Sequence, residues 1–334
     1  MPVPTDLPPG VASITLPTPF AIGAVNVYLL DGDPLTLVDP GPRVPEARAG
    51  LEEGLARHGR RVEDVELVLL THQHHDHVGL AEEVRERSGA RVAAIEPLAR
   101  FLADFDASMD ADDAYAVAIM HRHGVEPETA ARLNSLSRSW RGVGGGVAVD
   151  TVLAEGEVVR AGGRDLRVHR RPGHSPTDTV FHDERDGLLI GGDHLLEHVS
   201  SNPVVHCPIG EPDPAGAPAG ADRPQPLVDY LASFARTREQ EVSVVAPGHG
   251  VPFAGHRELI AQRESMHRTR AERILERIHG EVTAADIARE MWGRIPMSQA
   301  FLALSEVLGH VDLLAADGLV REVADGARVR LERA

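Results

Sequence analysis

A cluster of histidines directly after an apolar run is the feature that most constrains this chain. Residues 65–70, at the start of the stretch VELVLLTHQHHDHVG, have the length and apolar content of a buried strand. The next segment, residues 72–77, contains four histidines and one aspartate. Side chains that leave the end of a rigid strand together can converge on one ion, and imidazole and carboxylate are ligands for zinc, iron and manganese. The cluster therefore predicts a metal site beside a buried strand, since a purification tag would lie at a terminus.

Three later segments repeat the same local arrangement, in which a strand-like run passes through glycine to a potential ligand. RDLRVHR leads to Pro-Gly-His174, GLLIGG leads to Asp193, and VSVVAPG leads to His249. Glycine permits the close backbone turns that a crowded site requires. A single Pro-Gly-His is more typical of a turn than of a metal ligand. The segments taken together nevertheless indicate one shared site.

The rest of the sequence predicts alternating strands and helices with one inserted helical region. A polar helix is expected over residues 45–58, and the helix after the histidine cluster should end at Gly89. Residues 97–140 predict a helical insertion, which is either a lid over the site or a packed pair of surface helices. Strands return over residues 147–251, interrupted by a loop rich in proline and glycine at 202–226.

The C-terminal segment predicts a separate, smaller α+β unit. Thr283 has the position of a helix N-cap, and an Asp-Gly pair near the end of the chain indicates a hairpin. Three helices followed by a two-stranded hairpin resemble a winged-helix domain. We therefore predict two domains: residues 1–263, which include the insertion, and residues 264–334.

Charge and composition exclude several classes of partner. The net charge is −17, and all 34 basic residues are arginine, so a broad nucleic-acid surface is not expected. Residues 264–334 contain ten arginines against twelve acidic residues. The single cysteine, Cys207, allows no internal disulfide, and neither a signal peptide nor a membrane-spanning run is found. We expect a cytoplasmic protein with a small-molecule substrate and no membrane partner; a homodimer is left open.

The potential ligands form an ordered pattern along the chain: Thr71-His72-x-His74-x-Asp76-His77, then His174, Asp193 and His249. This pattern, within about residues 10–260, resembles the metallo-β-lactamase superfamily and is similar to its glyoxalase II-like dinuclear hydrolases. The resemblance implies an α/β fold, the four-layer αββα sandwich, in which two mixed sheets pack between outer helices. The helical insertion and the small C-terminal α+β unit are added to that sandwich.

The resemblance also implies a metal-ligand set for two divalent ions. Zinc is the first choice, with iron or manganese as alternatives. The first ion would be held by His72, His74 and His174. The second would be held by Asp76, His77 and His249, and Asp193 would bridge both ions.

Three nearby residues are assigned other roles. Asp39, in TLVDPG, is expected to form a hydrogen bond with a metal ligand rather than to bind an ion itself. His194 directly follows the bridging carboxylate and is expected either to line the pocket or to pack in the core. His75 occupies a variable position of the motif and is expected to be an exposed side chain that binds no metal.

The resemblance implies metal-dependent hydrolysis by a hydroxide held between two ions about 3.5–4 Å apart. Asp76 and Asp193 would be the catalytic carboxylates, with Asp76 orienting the nucleophile. Acyl thioesters such as acyl-CoA are the first choice of substrate, which places the enzyme among the ester hydrolases. The alternatives are an endoribonuclease or phosphodiesterase and a lactonase, followed by a mononuclear-iron persulfide dioxygenase or an inactive regulatory protein. Five insertion residues could line an acyl pocket or belong to the core: Phe101, Phe105, Met109, Tyr115 and Met120.

Overall fold

The architecture is taken from a computed structural model that describes residues 3–209, 223–293 and 296–334. The predicted loop at 202–226 therefore lies partly outside the described residues. Strands and helices are numbered in chain order.

The N-terminal half forms a six-stranded mixed sheet. Its strands, in spatial order, are β2 (Val11–Leu16), β3 (Val25–Leu30), β4 (Thr36–Val38), β5 (Leu67–Leu69), β6 (Arg91–Ile95) and β7 (Thr151–Leu153). The pairs from β2 to β4 are antiparallel, and those from β4 to β7 are parallel. Because β5 is central and buried on both faces, its sequence is continuously apolar rather than alternating.

The second sheet has seven strands. In spatial order they are β1 (Val3–Pro4), β13 (Phe253–Ala254), β12 (Val244–Pro247), β11 (Leu188–Gly192), β10 (Thr179–Asp183), β9 (Arg164–Arg170) and β8 (Val158–Ala161). The pairing of β11 with β12 is parallel and the other pairs are antiparallel. Side chains from both sheets, including Leu37 and Phe181, share one buried core.

Helices cover the outer faces of both sheets. The described residues contain α1 (Pro45–Arg57), α2 (His75–Val78), α3 (Ala81–Ser88), α4 (Glu96–Ala103), α5 (Phe105–Arg122), α6 (Pro127–Ser139), α7 (Pro226–Arg238), α8 (His256–Arg277), α9 (Ala284–Trp292) and α10 (Ala300–Ala316). Helix α1 buries Leu51 and Leu55 against the first sheet. Helices α7 and α8 bury Tyr230 and Leu259 against the second. The predicted αββα sandwich is therefore confirmed.

The C-terminal unit consists of helices and a hairpin, as predicted. Thr283 caps α9 reciprocally with Asp286, and the hairpin joins β14 (Val320–Asp325) to β15 (Arg328–Arg333). Gly326 provides the positive φ that a two-residue hairpin loop requires. The resemblance of this unit to a winged-helix domain stays a prediction.

A second buried core joins the helical insertion to the C-terminal unit. Ile119 and Met120 of α5 pack in one cluster with Ile274 of α8 and Leu308 of α10. The predicted boundary between residues 263 and 264 falls inside α8. The division into two domains stays a prediction, but the insertion and the C-terminal helices share their apolar contacts. Among the described helices, none has both the length and the apolar content needed to cross a membrane.

Candidate metal centre

The ends of four strands bring the predicted ligands to one edge of the sandwich. His72 and His74 follow β5, and the short helix α2 carries Asp76 and His77. The remaining ligands each follow one strand: His174 after β9, Asp193 after β11 and His249 after β12. Residues more than 170 positions apart in sequence thus meet at one place.

The first group of side chains consists of His72, His74, His174 and Asp193. One nitrogen or oxygen of each lies within 4.8 Å of the others. His74 Nδ1 is 3.1 Å from His72 Nε2 and 2.9 Å from His174 Nε2. Three imidazole nitrogens at such distances can bind a single cation.

The second group consists of Asp76, His77 and His249, again with one atom of each within 4.8 Å of the others. His249 Nε2 lies 3.4 Å from Asp76 Oδ2. All three side chains are buried. This group can hold a second cation beside the first.

Asp193 reaches both groups through its two carboxylate oxygens. Oδ1 is 3.5 Å from His77 Nε2, while Oδ2 is 3.6 Å from His174 Nε2 and 3.5 Å from His249 Nε2. Because a carboxylate can use each oxygen for a different cation, Asp193 can bridge the two groups.

Hydrogen bonds on the far side of the rings fix which nitrogen faces the cluster. His77 Nδ1 lies 2.9 Å from Asp39 Oδ2, and His249 Nδ1 lies 2.7 Å from the Ala24 carbonyl. Each Nδ1 therefore donates outward and each Nε2 is left to accept a cation. Asp39 also accepts hydrogen bonds from the backbone N–H and hydroxyl of Thr71, at 2.8 and 2.6 Å. The structure thus places Asp39 beside His77 Nδ1, and its role in supporting a metal ligand stays a prediction.

The electrostatics of the cluster favour cation binding. Burial, together with the neighbouring His174, lowers the pKa of His74 to about 3, so its imidazole is neutral. Burial disfavours charge on His77, but Asp193 and Asp39 outweigh it and raise the pKa of His77 well above its usual value. Although burial opposes ionisation of Asp193, His77 and His249 hold its pKa well below the usual value. A cation would take the place of the proton on His77.

Two buried atoms provide a direct test of whether the residues suit a metal. His77 Nε2 and Asp193 Oδ1 have no hydrogen-bond partner within the described parts of the chain. A buried polar atom without a partner costs about 1–3 kcal/mol. A divalent cation between these atoms would satisfy both, and the donors are of the kinds that zinc, iron and manganese accept.

The two other histidines considered near the motif do not belong to the cluster. His75 is half-buried and contacts the Phe105 ring, with ring centroids 5.8 Å apart; the expectation that it is exposed is wrong. His194 is buried between Tyr230 and Phe234, and its Nε2 is 2.9 Å from the Thr237 hydroxyl. Of the two roles expected for His194, the structure shows the packed one.

A third group of potential ligands lies between α8 and α10, away from the motif: His267, Glu306 and His310. His267 Nδ1 and His310 Nε2 lie 3.2 Å apart, and His310 Nδ1 donates to the Glu306 carbonyl. The Glu306 carboxylate pairs with Arg270. Since these atoms satisfy one another, this group requires no cation.

Two residues beside the cluster, Gln73 and Thr177, were not predicted from the sequence. The Thr177 hydroxyl donates a short hydrogen bond to Gln73 Oε1. Gln73 lies between His72 and His74, and Thr177 lies three residues after His174. Their positions inside two ligand segments are the signal that could have identified them, but their contact spans 104 positions.

Comparisons with known proteins agree with the fold and the motif. A family model described as "Metallo-beta-lactamase superfamily" matches residues 21–249. The chain is 32% identical over 321 residues to the probable metallo-hydrolase YqjP of Bacillus subtilis, with 96% of each chain covered. It is 31% identical to a hydroxyacylglutathione hydrolase of Methylobacterium nodulans, over 53% of this chain and 51% of that protein. A crystal structure of a beta-lactamase domain protein from Burkholderia ambifaria aligns with a TM-score of 0.82 and 29% identity, covering 99% of this chain and 94% of the other.

These matches show that the chain belongs to the metallo-beta-lactamase superfamily. Within that superfamily it is a metallo-hydrolase, because the family model, the Bacillus relative and the clustered histidines and aspartates agree.

Proposed function

We propose that this protein hydrolyses acyl thioesters at a site that holds two divalent ions. The observation that carries the proposal is the position of Asp193, whose two oxygens lie 3.5–3.6 Å from imidazoles of both ligand groups. We assign His72, His74 and His174 to one ion and Asp76, His77 and His249 to the other, with Asp193 shared. Zinc is the ion we favour, and iron and manganese suit the same donors. When bound, such ions supply Lewis acidity, which polarises a substrate carbonyl and makes hydroxide available near neutral pH.

The protein's own carboxylates have defined parts in this reaction. Although burial disfavours ionisation, His249 and His77 lower the pKa of Asp76, so its carboxylate is charged at neutral pH. An ionised Asp76 can orient the attacking water and accept its proton. Asp193 contacts both ligand groups and holds them next to each other. Asp39 holds His77 in the tautomer that leaves Nε2 facing the cluster.

Three observations support a thioester rather than a phosphodiester. The net charge of −17 disfavours a nucleic-acid substrate. The C-terminal unit, which would be the nucleic-acid clamp of an endoribonuclease, is itself acidic and packs against the insertion through apolar side chains. One matched relative is a hydroxyacylglutathione hydrolase by name, and acylglutathiones are thioesters. We therefore propose that residues 264–334 serve as a packing module that supports the region over the site.

A hydrolysis panel on metal-replete protein tests this proposal. It contains acyl-CoA and acylglutathione thioesters, a lactone, a β-lactam, a phosphodiester and single-stranded RNA. Asp193→Ala and a chelated sample are the inactive controls, and His75→Asn is the matched variant within the motif but outside the ligand groups. Thioester turnover that is lost in both inactive controls and kept in His75→Asn is expected. Cleavage of only the phosphodiester or RNA would contradict the proposal.

A further inference from the structure

A cavity of about 260 Å³ lies beside the metal-ligand cluster and is not explained by the ligands themselves. Its walls are formed by α4, α5 and residues 206–209. A larger depression of about 760 Å³ lies at the C-terminal hairpin, where Glu281 and Arg330 belong to its lining. No residue of the two ligand segments lines that depression, whereas Gln73 and Pro176 line the smaller cavity, so the smaller cavity is the one relevant to the reaction.

Two lining residues connect this cavity to the cluster through the chain itself. Gln73 lies between the ligands His72 and His74, and Pro176 follows His174 by two residues. A molecule seated in the cavity would therefore have one end next to the ligand groups. This position is what a substrate pocket requires.

The lining is mainly apolar. Its hydrophobic members are Phe101, Ala107, Ala111, Pro176, Pro208 and Ile209. Of the five insertion residues considered for an acyl pocket, Phe101 lines this cavity; Phe105 and Met109 belong to the sandwich core and Tyr115 and Met120 to the second core. The cavity thus uses the start of the insertion, together with the chain after β11.

The charged groups in the lining disfavour an anionic occupant. The Arg100 guanidinium is paired with Glu96, with Nη2 2.7 Å from Oε1. Asp104 accepts a hydrogen bond from the Ala107 N–H, and Asp112 accepts one from the Cys207 N–H. Two carboxylates and one neutralised arginine would repel the phosphates of CoA or RNA and the carboxylates of glutathione. A neutral, apolar group fits better.

Gln73 supplies a hydrogen-bond donor in the lining of the cavity. Because Gln73 Oε1 accepts a hydrogen bond from Thr177, the amide nitrogen Nε2 is the atom that can donate to another group. Thr177 is fully buried and is itself held by Ser175, whose Oγ accepts from the Thr177 N–H at 3.1 Å. Among the described residues, none accepts a hydrogen bond from Gln73 Nε2. This amide is therefore oriented and available.

We propose that this cavity receives the acyl group of the substrate and that Gln73 Nε2 donates a hydrogen bond to an oxygen of that group. The substrate class is then an uncharged acyl chain of short to medium length, because the cavity volume is only about 260 Å³. The thiol carrier lies outside the cavity. This inference rests on the proposed thioester hydrolysis and goes further by naming the part of the substrate that is recognised.

Ala107 and Ala114 provide a matched pair of variants to test the proposal. Both are exposed residues of α5, but only Ala107 lines the cavity. A series of CoA thioesters from acetyl through butanoyl, hexanoyl and octanoyl to dodecanoyl measures the chain-length profile. Ala107→Leu is expected to shift the preferred chain to a shorter length and to lower kcat/KM for the longest accepted chain at least about tenfold, since the added methylenes occupy the cavity. Ala114→Leu is expected to leave the profile unchanged.

Two further variants separate the possible failures. Ile209→Ala should widen the cavity and shift the preference to longer chains. Gln73→Met should raise KM about two- to tenfold for all chains while metal content stays constant. If thioester turnover is clear but none of the cavity variants changes the chain-length profile from that of the wild type, the acyl-pocket assignment alone is overturned. Absence of thioester turnover in metal-replete wild type would overturn both the assignment and the proposed function.

Discussion

At the scale of single residues, Asp39 shows how the chain orients a candidate metal ligand, His77, through its own hydrogen bonds. Its φ of 54° lies in the left-handed region, which aspartate and asparagine tolerate better than most other residues with a side chain. That conformation lets one carboxylate accept from the Thr71 backbone, the Thr71 hydroxyl and His77 at once. The free-energy cost of this backbone conformation at Asp39 is thereby offset by the hydrogen bonds of its carboxylate, which orient His77.

Replacing Asp39 by Asn should weaken metal binding without unfolding the chain. Asparagine accepts the same backbone conformation, but it loses the charge that holds His77 Nδ1. We expect the affinity for the metal held by His77 to fall about 10- to 100-fold, measured by competition with a chelator. Asp165→Asn, at an exposed strand position, is the control. Equal metal affinity in both variants would show that Asp39 does not support His77.

His123 is a residue whose burial should make stability depend on pH. It is fully buried at the C-terminal end of α5, and neither ring nitrogen has a hydrogen-bond partner among the described residues. Burial lowers the pKa of His123 to about 4, below the value of 6.5 expected for an unfolded chain. The unfolded state therefore takes up the proton at a higher pH than the folded state does. The stabilisation of the folded state that comes from a neutral His123 is present above pH 6.5 and is lost as the pH falls toward 4.

The corresponding variant is His123→Leu, which cannot take up the proton. Between pH 7 and 4.5 the wild type should lose about 2 kcal/mol more unfolding free energy than the variant. Urea unfolding at both pH values measures the difference. Identical pH dependence of the two proteins would show that His123 is not a buried neutral imidazole.

At the scale of secondary structure, the metal-ligand segments could be predicted because their signals are local. Each candidate ligand segment follows a short run that becomes a strand, and the motif from Thr71 to His77 gives the spacing directly. Contacts between distant segments could not be predicted in this way. An apolar helix face indicates that α5 is buried, but it does not indicate its partner. The structure shows that α5 packs on α10, and that Gln73 meets Thr177.

The shared core of α5 and α10 predicts that damage in the C-terminal unit will loosen the insertion. Leu308→Ala removes a fully buried side chain from this core and should cost about 2–5 kcal/mol. Hydrogen exchange should then increase in α5 and α6, which contact that core. Leu51→Ala, an equally buried leucine of α1 in the sandwich core, is the matched control. Exchange in α5 and α6 that rises equally in both variants would indicate global unfolding rather than this local coupling.

At the scale of the whole molecule, the buried apolar clusters of the described residues have separate roles. The sandwich core positions the strand ends that carry the ligands, and the second core holds the insertion and the C-terminal helices together. The acidic surface carries a net charge of −17. The four-layer fold was predictable because one ordered motif identifies it, whereas the joint packing of two segments separated by more than 100 residues was not.

The charge of the molecule predicts that it will not bind nucleic acid. Single-stranded RNA should show no saturable binding in fluorescence anisotropy at physiological salt, because 51 acidic residues outnumber the 34 arginines and repel the phosphates. A neutral polymer that carries the same fluorescent label is the control for non-specific signal. Saturable binding that weakens steeply with added salt would contradict this expectation and favour the endoribonuclease alternative.

Elemental analysis of the purified, metal-replete protein gives the number of metal ions per chain and so tests the proposed two-ion site. We predict two divalent ions per wild-type chain and two in His75→Asn. Asp193→Ala should hold fewer, because Asp193 is the side chain that reaches both ligand groups. A wild type with one ion or none, or an Asp193→Ala variant that keeps both, would show that the chain does not hold two ions bridged by Asp193.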